Sequence, residues 1–297
     1  MSHKDVNQSD SYLKKHKGVI YLSRLTTPEC IDSLENLEIR DSDLFLVTFP
    51  KSGTVWSQQI VSLILNEGHR KGTEDIDNMV RAPWIEYNIY NIDFNTRPDP
   101  RLFTSHLPHY LMPKDLRNMR GKIIYVYRNP KDVLVSFYHF QKILVLSEHP
   151  ESWEHCMDLF MSGEVLGGSW FDHIRDWYTN KKDYNILFLA YEEMKKDLRS
   201  AIMKICSFLD KKLDDEEVDI IVKKSTFENM KDDPLANYTF LSEDICDRSK
   251  GSFLRKGTIG DWKHFMTVAQ SEMFDRVLQE RMKDLPIKFI WDINEEN

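Results

Sequence analysis

Cysteine, glycine and proline are all scarce in this chain of 297 residues. It has four cysteines, 11 glycines and 11 prolines, and no two cysteines stand in the C-x-x-C spacing of a zinc or redox site. Scattered cysteines suit a reducing compartment, and no Pro/Gly-rich linker divides the chain. These scarcities argue against a disulfide scaffold and favour one large domain.

Long apolar runs and an excess of basic charge are also missing. No run approaches the roughly 20 residues needed to span a bilayer, and the opening MSHKDVNQSD lacks the apolar core of a signal peptide. The net charge of −8 argues against a general nucleic-acid binder. We therefore expect a cytoplasmic globular protein that binds neither nucleic acid nor membrane.

Short apolar strands alternate with helical segments along the chain. Near-continuous apolar strands in such an alternation are typical of a mostly parallel sheet covered on both faces. We predict a single α/β domain over 35–297, preceded by a tail and lead-in segment over 1–34. Strands are predicted over 44–49, 101–105, 122–128 and 185–191, with a candidate at 288–293, and helices over 56–65, 131–144, 200–209 and 267–285.

A polar residue able to do chemistry stands at the end of each of the four main strands. These residues are Lys51, His106, Arg128 and Tyr191. In an open parallel sheet, ligands bind outside the carboxyl ends of the strands. The pattern therefore predicts that the four side chains converge on one crevice.

The loop PKSGT (50–54) joins the first of these strands to its helix. A helix N-terminus attracts anions, Gly53 allows close backbone approach, and Lys51 adds a charge. Because Lys51 precedes the glycine, the G-x-x-x-x-G-K-[ST] pattern of nucleotide kinases is absent. The loop favours a phosphate-type ligand without a required metal, and the alternative is a structural turn with an incidental lysine.

Three further elements each allow a functional and a purely structural interpretation. Arg128, between a strand and a helix, suits a phosphate or a surface salt bridge. Arg255 and Lys256 could close over an anion, although such a pair is usually solvated surface. His106 is the candidate general base, although a lone histidine is more often structural, and His109 is a competitor.

With these residues laid out, the chain resembles the cytosolic sulfotransferases from about residue 35 to its end. The resemblance rests on PKSGTVW (50–56), RNPKDVLVS (128–136) and RKGTIGDWK (255–263), in this order. RAPWIEYNIY and KFIWDINEEN are most similar to the amine sulfotransferase branch. The resemblance implies one α/β domain with a P-loop-like phosphosulfate loop. It also implies 3′-phosphoadenylyl sulfate (PAPS) as sulfuryl donor, adenosine 3′,5′-bisphosphate (PAP) as product, and no required metal.

Site residues follow from the resemblance position by position. His106 would be the catalytic base, and Lys51 would stabilise the leaving oxygen. The sequence Lys263-x-x-x-Thr267-Val268-x-x-x-Glu272 matches the family's dimer motif, which implies a homodimer. The residues implied to bind the donor are Lys51, Ser52, Gly53, Thr54, Val55, Trp56, Arg128, Ser136, Tyr191, Ser225, Phe227, Met230, Phe253, Leu254, Arg255, Lys256 and Gly257.

The acceptor is less well defined. An amine is the first candidate, and a phenol or a hydroxysteroid alcohol remains open. Glu86 does not discriminate between them, because its surroundings also resemble phenol-specific relatives. Val55 and Thr104 depart from residues that are common in the family. Val55 removes a hydroxyl contact to the donor, and Thr104 removes a cation near the transferring group. The expected acceptor pocket is largely apolar and contains Trp84, Tyr87, His106, Phe140 and Tyr238.

Two other classes of function would use the same strand, loop and helix. A small-molecule kinase would need magnesium and the missing loop spacing. A non-catalytic nucleotide- or steroid-binding protein would keep Arg128 and Trp56 but tolerate the loss of Lys51 and His106. Lys51 and His106 are both present, which favours catalysis.

Overall fold

Six short strands form two sheets in the computed structural model, which describes residues 11–70 and 75–294. The strands are β1 (Leu13–His16), β2 (Val19–Leu22), β3 (Leu44–Thr48), β4 (Leu102–Ser105), β5 (Lys122–Tyr127) and β6 (Ile186–Ala190). β1 and β2 make an antiparallel hairpin, while the other four form a parallel sheet in the order β4-β3-β5-β6. The four main predicted strands are confirmed to within two residues.

Helices flank the parallel sheet. None of those in the described ranges is long and apolar enough to cross a membrane. The helices are α1 (Pro28–Ser33), α2 (Thr54–Leu65), α3 (Asn78–Arg81), α4 (Pro130–Ile143), α5 (Trp153–Ser162), α6 (Trp170–Thr179), α7 (Tyr191–Lys196), α8 (Leu198–Leu209), α9 (Asp215–Lys224), α10 (Phe227–Lys231) and α11 (Val268–Met282).

Alternate residues of the buried strands pack into two separate cores, as the period of two in a strand requires. In β3, Phe45 and Val47 belong to the core that contains buried residues of α4, α5, α6 and α11. Leu44 and Leu46 belong to the other core, which contains buried residues of α2, α8 and α9. This division explains why the strands are apolar throughout, and it confirms a sheet covered on both faces.

The lead-in segment packs against this domain. Val19, Tyr21, Leu22, Ile31 and Leu34 are buried in the same core as Phe45. The hairpin β1–β2 and helix α1 therefore form part of the wall on that face of the sheet.

The strand suggested at 288–293 is wrong, because residues 288–292 have no regular secondary structure and Ile293 lies in a turn. Its carbonyls accept side-chain hydrogen bonds instead: Ile290 from Asn129 at 3.2 Å and Trp291 from the indole of Trp262 at 3.1 Å. These contacts hold the end of the chain against the start of α4.

Helix α11 begins one residue after its predicted start, with Thr267 and Gln270 forming a capping box. Phe274 and Leu278 are buried as the apolar pattern predicts. Val268, which the pattern also places on the apolar side, is 76% exposed because it stands in the first turn, beyond the edge of the core. The exposed valine belongs to the predicted dimer motif.

Candidate functional site

A cavity of about 490 Å³ lies at the carboxyl edge of the parallel sheet. Lys51, His106, Arg128 and Tyr191, which follow the four strands, all line it. Every other predicted donor or acceptor residue lines it too, with the exception of Ser52. Ser52 is fully buried; its backbone N–H donates to the Phe49 carbonyl at 3.1 Å, and its Oγ is buried without a partner.

Gly53 shapes the loop that enters helix α2. It adopts a φ of 99°, and a Cβ there would lie 2.7 Å from Cδ2 of Tyr191. Glycine therefore meets both the conformation and the close approach. As the N-cap, Gly53 supplies no side chain to occupy the first N–H groups of α2. Those groups are left to meet a ligand at the positive end of the helix.

Lys51 rests on aromatic rings. Its Nζ lies 4.3 Å from the ring centroid of Phe140 and 5.0 Å from that of Phe253. None of the ion pairs between described residues gives Lys51 a carboxylate partner. Burial, together with the positive charges of Arg128 and Arg255, lowers the pKa of Lys51 to about 7. An anion in the cavity would reverse these effects, because it would supply the missing countercharge.

Arg128 is buried between two parts of the site. Its guanidinium donates to the Lys51 carbonyl at 3.3 Å and to the Thr258 carbonyl at 3.0 Å, and it stacks 4.4 Å from the Tyr191 ring centroid. The surface salt-bridge alternative is wrong, since Arg128 is only 8% exposed and no described carboxylate pairs with it.

Several buried polar atoms at the site have no partner. They include Nε of Arg128 and Oγ of Ser225, both belonging to residues that line the cavity. Buried donors are rarely left unsatisfied, so the lining fits a ligand rich in acceptor oxygens, such as a nucleotide bisphosphate. No group of three metal-ligating side chains is found within the described ranges.

The start of α4 fixes the C-terminal segment of the site. Asn129 caps the helix by accepting a bond from the Asp132 N–H at 2.9 Å. The Asp132 carboxylate then accepts bonds from the backbone N–H groups of Gly260, at 2.8 Å, and Trp262, at 3.0 Å. Asn followed by Pro is a typical sequence signal for the start of a helix, but only the structure shows that the Asp132 carboxylate also holds a distant loop.

The basic loop is also anchored. Arg255 and Lys256 both donate to the Asp261 carboxylate, at 2.5 and 2.7 Å. Gly257 follows with a φ of 62°, and a Cβ there would lie 2.4 Å from Cδ2 of Phe227. The loop therefore packs tightly against the predicted adenosine site.

His106 presents a free imidazole nitrogen. Its Nδ1 lies 2.6 Å from the Thr48 carbonyl, so Nδ1 carries the proton and Nε2 keeps its lone pair. Its backbone N–H donates to Glu86 at 2.6 Å, and its ring lies 4.5 Å from that of Trp84. Burial lowers the pKa of His106 to about 3. The side chain is therefore neutral at physiological pH.

The competing histidine, His109, has a structural role. Its Nδ1 lies 3.0 Å from the Tyr184 hydroxyl and its Nε2 lies 3.1 Å from Asp176. It is absent from the lining of the cavity. The structure thus distinguishes the two histidines that the sequence left in competition.

Glu86 and Thr104 are both absent from the lining of the cavity. One Glu86 oxygen holds the His106 backbone, the other is buried without a partner, and burial raises the pKa of Glu86 to about 7. The Thr104 hydroxyl donates to the Ala82 carbonyl and accepts from the Gln58 amide, both at 2.9 Å. Neither side chain is placed to contact an acceptor.

Sequence reasoning missed Gln58, a buried amide on α2. The Trp84 indole donates to the Tyr238 hydroxyl at 3.0 Å, and that hydroxyl donates to Gln58 at 2.9 Å. These two hydrogen bonds fix the rings of Trp84 and Tyr238, which form two walls of the cavity. The adjacent amides Gln58 and Gln59 in a largely buried helix were the available signal. Several apolar residues of the lining carried no such signal in the sequence, because the sequence alone could not distinguish them from residues of the core. They are Leu25, Met79, Ile89, Leu198, Val222, Leu241 and Ile245.

Comparison with known proteins gives consistent matches. The family model described as a sulfotransferase domain matches residues 41–286. The chain is 57% identical to rabbit (Oryctolagus cuniculus) amine sulfotransferase over 98% of this chain and 97% of that protein. It is 45% identical to guinea pig (Cavia porcellus) 3-beta-hydroxysteroid sulfotransferase over 86% and 88% of the two chains. The crystal structure of mouse sulfotransferase SULT7A1 complexed with PAP is similar with a TM-score of 0.78 and 31% identity, covering 93% and 95% of the two chains.

Proposed function

The chain belongs to the sulfotransferase family and is a sulfotransferase that uses PAPS as its donor, and we propose that its acceptor is a small, largely apolar amine. The observation that carries the proposal is the cavity in which Lys51, Arg128 and the free Nε2 of His106 meet. An anion-binding end and an apolar end share this space. Donor and acceptor could therefore be held in contact.

On the donor side, the proposal assigns positive groups to both ends of the nucleotide. The N–H groups at the start of α2 and Lys51 would hold the phosphosulfate, while Arg128 and Ser136 would hold the 3′-phosphate. When bound, the donor supplies an activated sulfuryl group. Charge that develops on the bridging oxygen would be met by Lys51, a cation held in place against Phe140 and Phe253.

On the acceptor side, His106 would take the proton that the nucleophile loses. The Thr48 carbonyl fixes the ring with Nε2 unprotonated, which is the form a general base needs. The pKa of about 3 belongs to the protein without an anionic ligand, because burial and the charge of Lys51 both act to lower it. Negative charge brought in beside these groups would raise the basicity of Nε2.

The amine is preferred to other acceptors on two grounds. The chain is more similar to the rabbit amine sulfotransferase, at 57% identity, than to the guinea pig hydroxysteroid enzyme, at 45%. The aromatic residues Trp84, Tyr87, Phe140 and Tyr238 also form an apolar lining that a compact aromatic or cyclic amine would fill. A phenol or a hydroxysteroid alcohol is the second candidate, favoured by the match to the steroid enzyme.

Sulfuryl transfer from labelled PAPS tests the acceptor directly. We expect kcat/KM to be at least tenfold higher for the best amine than for the best phenol or steroid alcohol in a size-matched panel. A higher value for a phenol or steroid would move the enzyme to the second candidate. Binding of PAP without transfer to any acceptor would favour the non-catalytic nucleotide-binding alternative.

We also propose a homodimer through the segment that contains Lys263, Thr267, Val268 and Glu272. These side chains are exposed, and Val268 is an apolar residue that is 76% in contact with solvent. Val268→Glu is expected to halve the mass measured by light scattering at micromolar concentration. Met203→Glu, on α8, changes another exposed apolar residue (48%) and should leave the mass unchanged. A monomeric unmodified protein would contradict the proposal.

A cytoplasmic location is the last part of the proposal. Its support is the four cysteines, all of which are free thiols in the structure. Cell fractionation with an antibody to the chain tests it, and recovery in a secretory fraction would contradict it.

A further inference from the structure

The backbone at residues 106 and 107, just beyond the end of β4, is held by side chains. Its two N–H groups and two carbonyls each hydrogen-bond to one. The His106 N–H donates to Glu86 at 2.6 Å, and the Leu107 N–H donates to Oγ of Ser105 at 3.0 Å. Both carbonyls accept bonds from side chains of helix α6. The peptide groups on either side of the His106 Cα are therefore fixed in direction.

Helix α6 supplies these two bonds from residues one turn apart. The Trp177 indole donates to the Leu107 carbonyl at 3.1 Å, and Nε2 of His173 lies 3.0 Å from the His106 carbonyl oxygen. Residues i and i+4 lie on the same face of a helix. One face of α6 can therefore hold two successive carbonyls of the loop that carries His106.

The direction of the hydrogen bonds at His173 follows from its partners. A carbonyl oxygen only accepts, so Nε2 of His173 carries the proton, and Nδ1 is left to accept. The Tyr125 hydroxyl, on β5, lies 2.8 Å from this Nδ1 and donates to it. Burial lowers the pKa of His173 to about 4 and raises the pKa of Tyr125, so the imidazole is neutral and the hydroxyl keeps its proton. One chain of donors thus runs from the sheet to the His106 carbonyl.

His173 and Tyr125 lie in the core of the protein. Their exposed fractions are 3% and 1%, and both are absent from the lining of the cavity. Burying an imidazole is costly unless both of its nitrogens are hydrogen-bonded, and here both are. A phenylalanine at position 173 would fill much of the same space without burying polar atoms. The contribution of the imidazole is therefore its bond to the His106 carbonyl.

The direction of the His106 backbone controls where its ring points. The described hydrogen bonds of the ring come from Nδ1 to Thr48, the shorter of them 2.6 Å to the carbonyl. If the peptide that carries the His106 carbonyl rotated, the Cα–Cβ bond would turn with it, and Nε2 would move away from the reacting atoms. A displacement of about 1 Å can lower a rate by about 10²-fold.

We propose that His173 is a positioning residue for sulfuryl transfer, because its hydrogen bond to the His106 carbonyl sets the direction in which Nε2 of His106 faces the cavity. The inference rests on the proposed role of His106 as the base. His173 contacts neither donor nor acceptor in this arrangement, and Tyr125 keeps it in the donating tautomer. Its loss should therefore affect the transfer step and leave the binding of both substrates intact.

Two substitutions of His173 separate the hydrogen bond from the packing. His173→Phe keeps a ring but removes the donor, and kcat is expected to fall by about 10–10²-fold. KM for the best acceptor and the Kd of PAP should change by less than about threefold. His173→Gln places an amide N–H close to the position of Nε2 and should restore most of the lost kcat. A glutamine variant no more active than the phenylalanine variant would overturn the inference.

Combination with His106→Ala shows whether His173 acts through His106. Once the imidazole of His106 is gone, His173→Phe should cause little further loss, and the single and double variants should differ by less than about threefold. A further loss as large as in the unmodified protein would indicate general disruption and overturn the inference. Near-normal turnover of His106→Ala would show that the proposed base itself is wrong, and the inference would fall with it. The two failures are thereby distinguished.

A matched pair of tyrosines completes the test and serves alone if His173→Phe does not fold. Tyr125→Phe removes the hydroxyl that holds Nδ1 of His173, and kcat should fall by about three- to tenfold, the scale of one neutral hydrogen bond. The control is Tyr184→Phe, which removes a hydroxyl 3.0 Å from Nδ1 of His109, outside the cavity lining. Its kcat should be unchanged. Equal effects of the two substitutions, or none from Tyr125→Phe, would contradict the proposal.

Discussion

Replacing His106 with alanine is expected to lower turnover by about 10²–10⁴-fold, the range in which a positioned general base contributes. PAP affinity, measured by calorimetry, should change by less than about threefold, because the bisphosphate is assigned to Lys51, Arg128 and the basic loop. The reason is the fixed ring of His106, whose Nδ1–H is bound to the Thr48 carbonyl and whose Nε2 is free.

His109→Ala is the matched control for this prediction. It removes a histidine three positions away that pairs with Asp176 and Tyr184 and does not line the cavity. Turnover of the control should stay near normal at a temperature where both variants are folded. A His106→Ala enzyme within tenfold of the unmodified rate would remove His106 from the role of base.

Lys51→Met is expected to lower turnover by about 10²–10³-fold, because it removes the cation assigned to the departing oxygen. Methionine keeps much of the contact with Phe140 and Phe253 without the charge. Lys181→Met is the control, since Lys181 also rests on an aromatic ring, that of Tyr178 at 3.7 Å, but lies outside the cavity lining. A similar loss in both variants would assign the effect to packing.

The pH dependence of PAP binding gives Lys51 a second readout. Burial lowers its pKa to about 7, so above that pH the empty protein must take up a proton before Lys51 can meet an anion. PAP affinity should therefore fall as the pH rises above 7, by at most about tenfold per unit, and the enthalpy should vary with the buffer. Both effects should disappear in Lys51→Met. Their persistence would show that another group takes up the proton.

The stability of the empty protein should respond to pH in the complementary way. The unfolded chain keeps the Lys51 proton up to the ordinary pKa of 10.5, whereas the folded chain loses it near 7. Between these values the unfolded state binds more protons, so Lys51 makes the fold more stable as the pH rises through this window. Lys51→Met should remove this pH-dependent contribution to the free energy of unfolding.

Local signals in the sequence were sufficient for the sheet and for much of the site. Apolar strands, the Asn129–Pro130 start of α4 and the glycine before α2 each act within a few residues. Because the strands are parallel, their ends had to meet at one edge. The order of residues along the chain is therefore enough to place Lys51, His106 and Arg128 together.

The remainder depends on contacts between distant residues. The buried carboxylate of Glu192 accepts bonds from the Asn129 N–H at 2.8 Å and its side-chain amide at 3.1 Å. Nothing local to Glu192 distinguishes it from the exposed Glu193 next to it. The burial of Ser52 and the use of Glu86 as an acceptor for a backbone N–H were hidden for the same reason. Each is decided by which partner the fold brings near.

The hydrogen bonds that Asp132 accepts from Gly260 and Trp262 have a consequence for folding during synthesis. On the ribosome, the four parallel strands are all available once Ala190 has emerged, yet the seat for the nucleotide lacks its last wall until Trp262 has docked. Because a ligand stabilises only the states that bind it, a nucleotide held in part by this loop is expected to stabilise the chain most once the loop has docked.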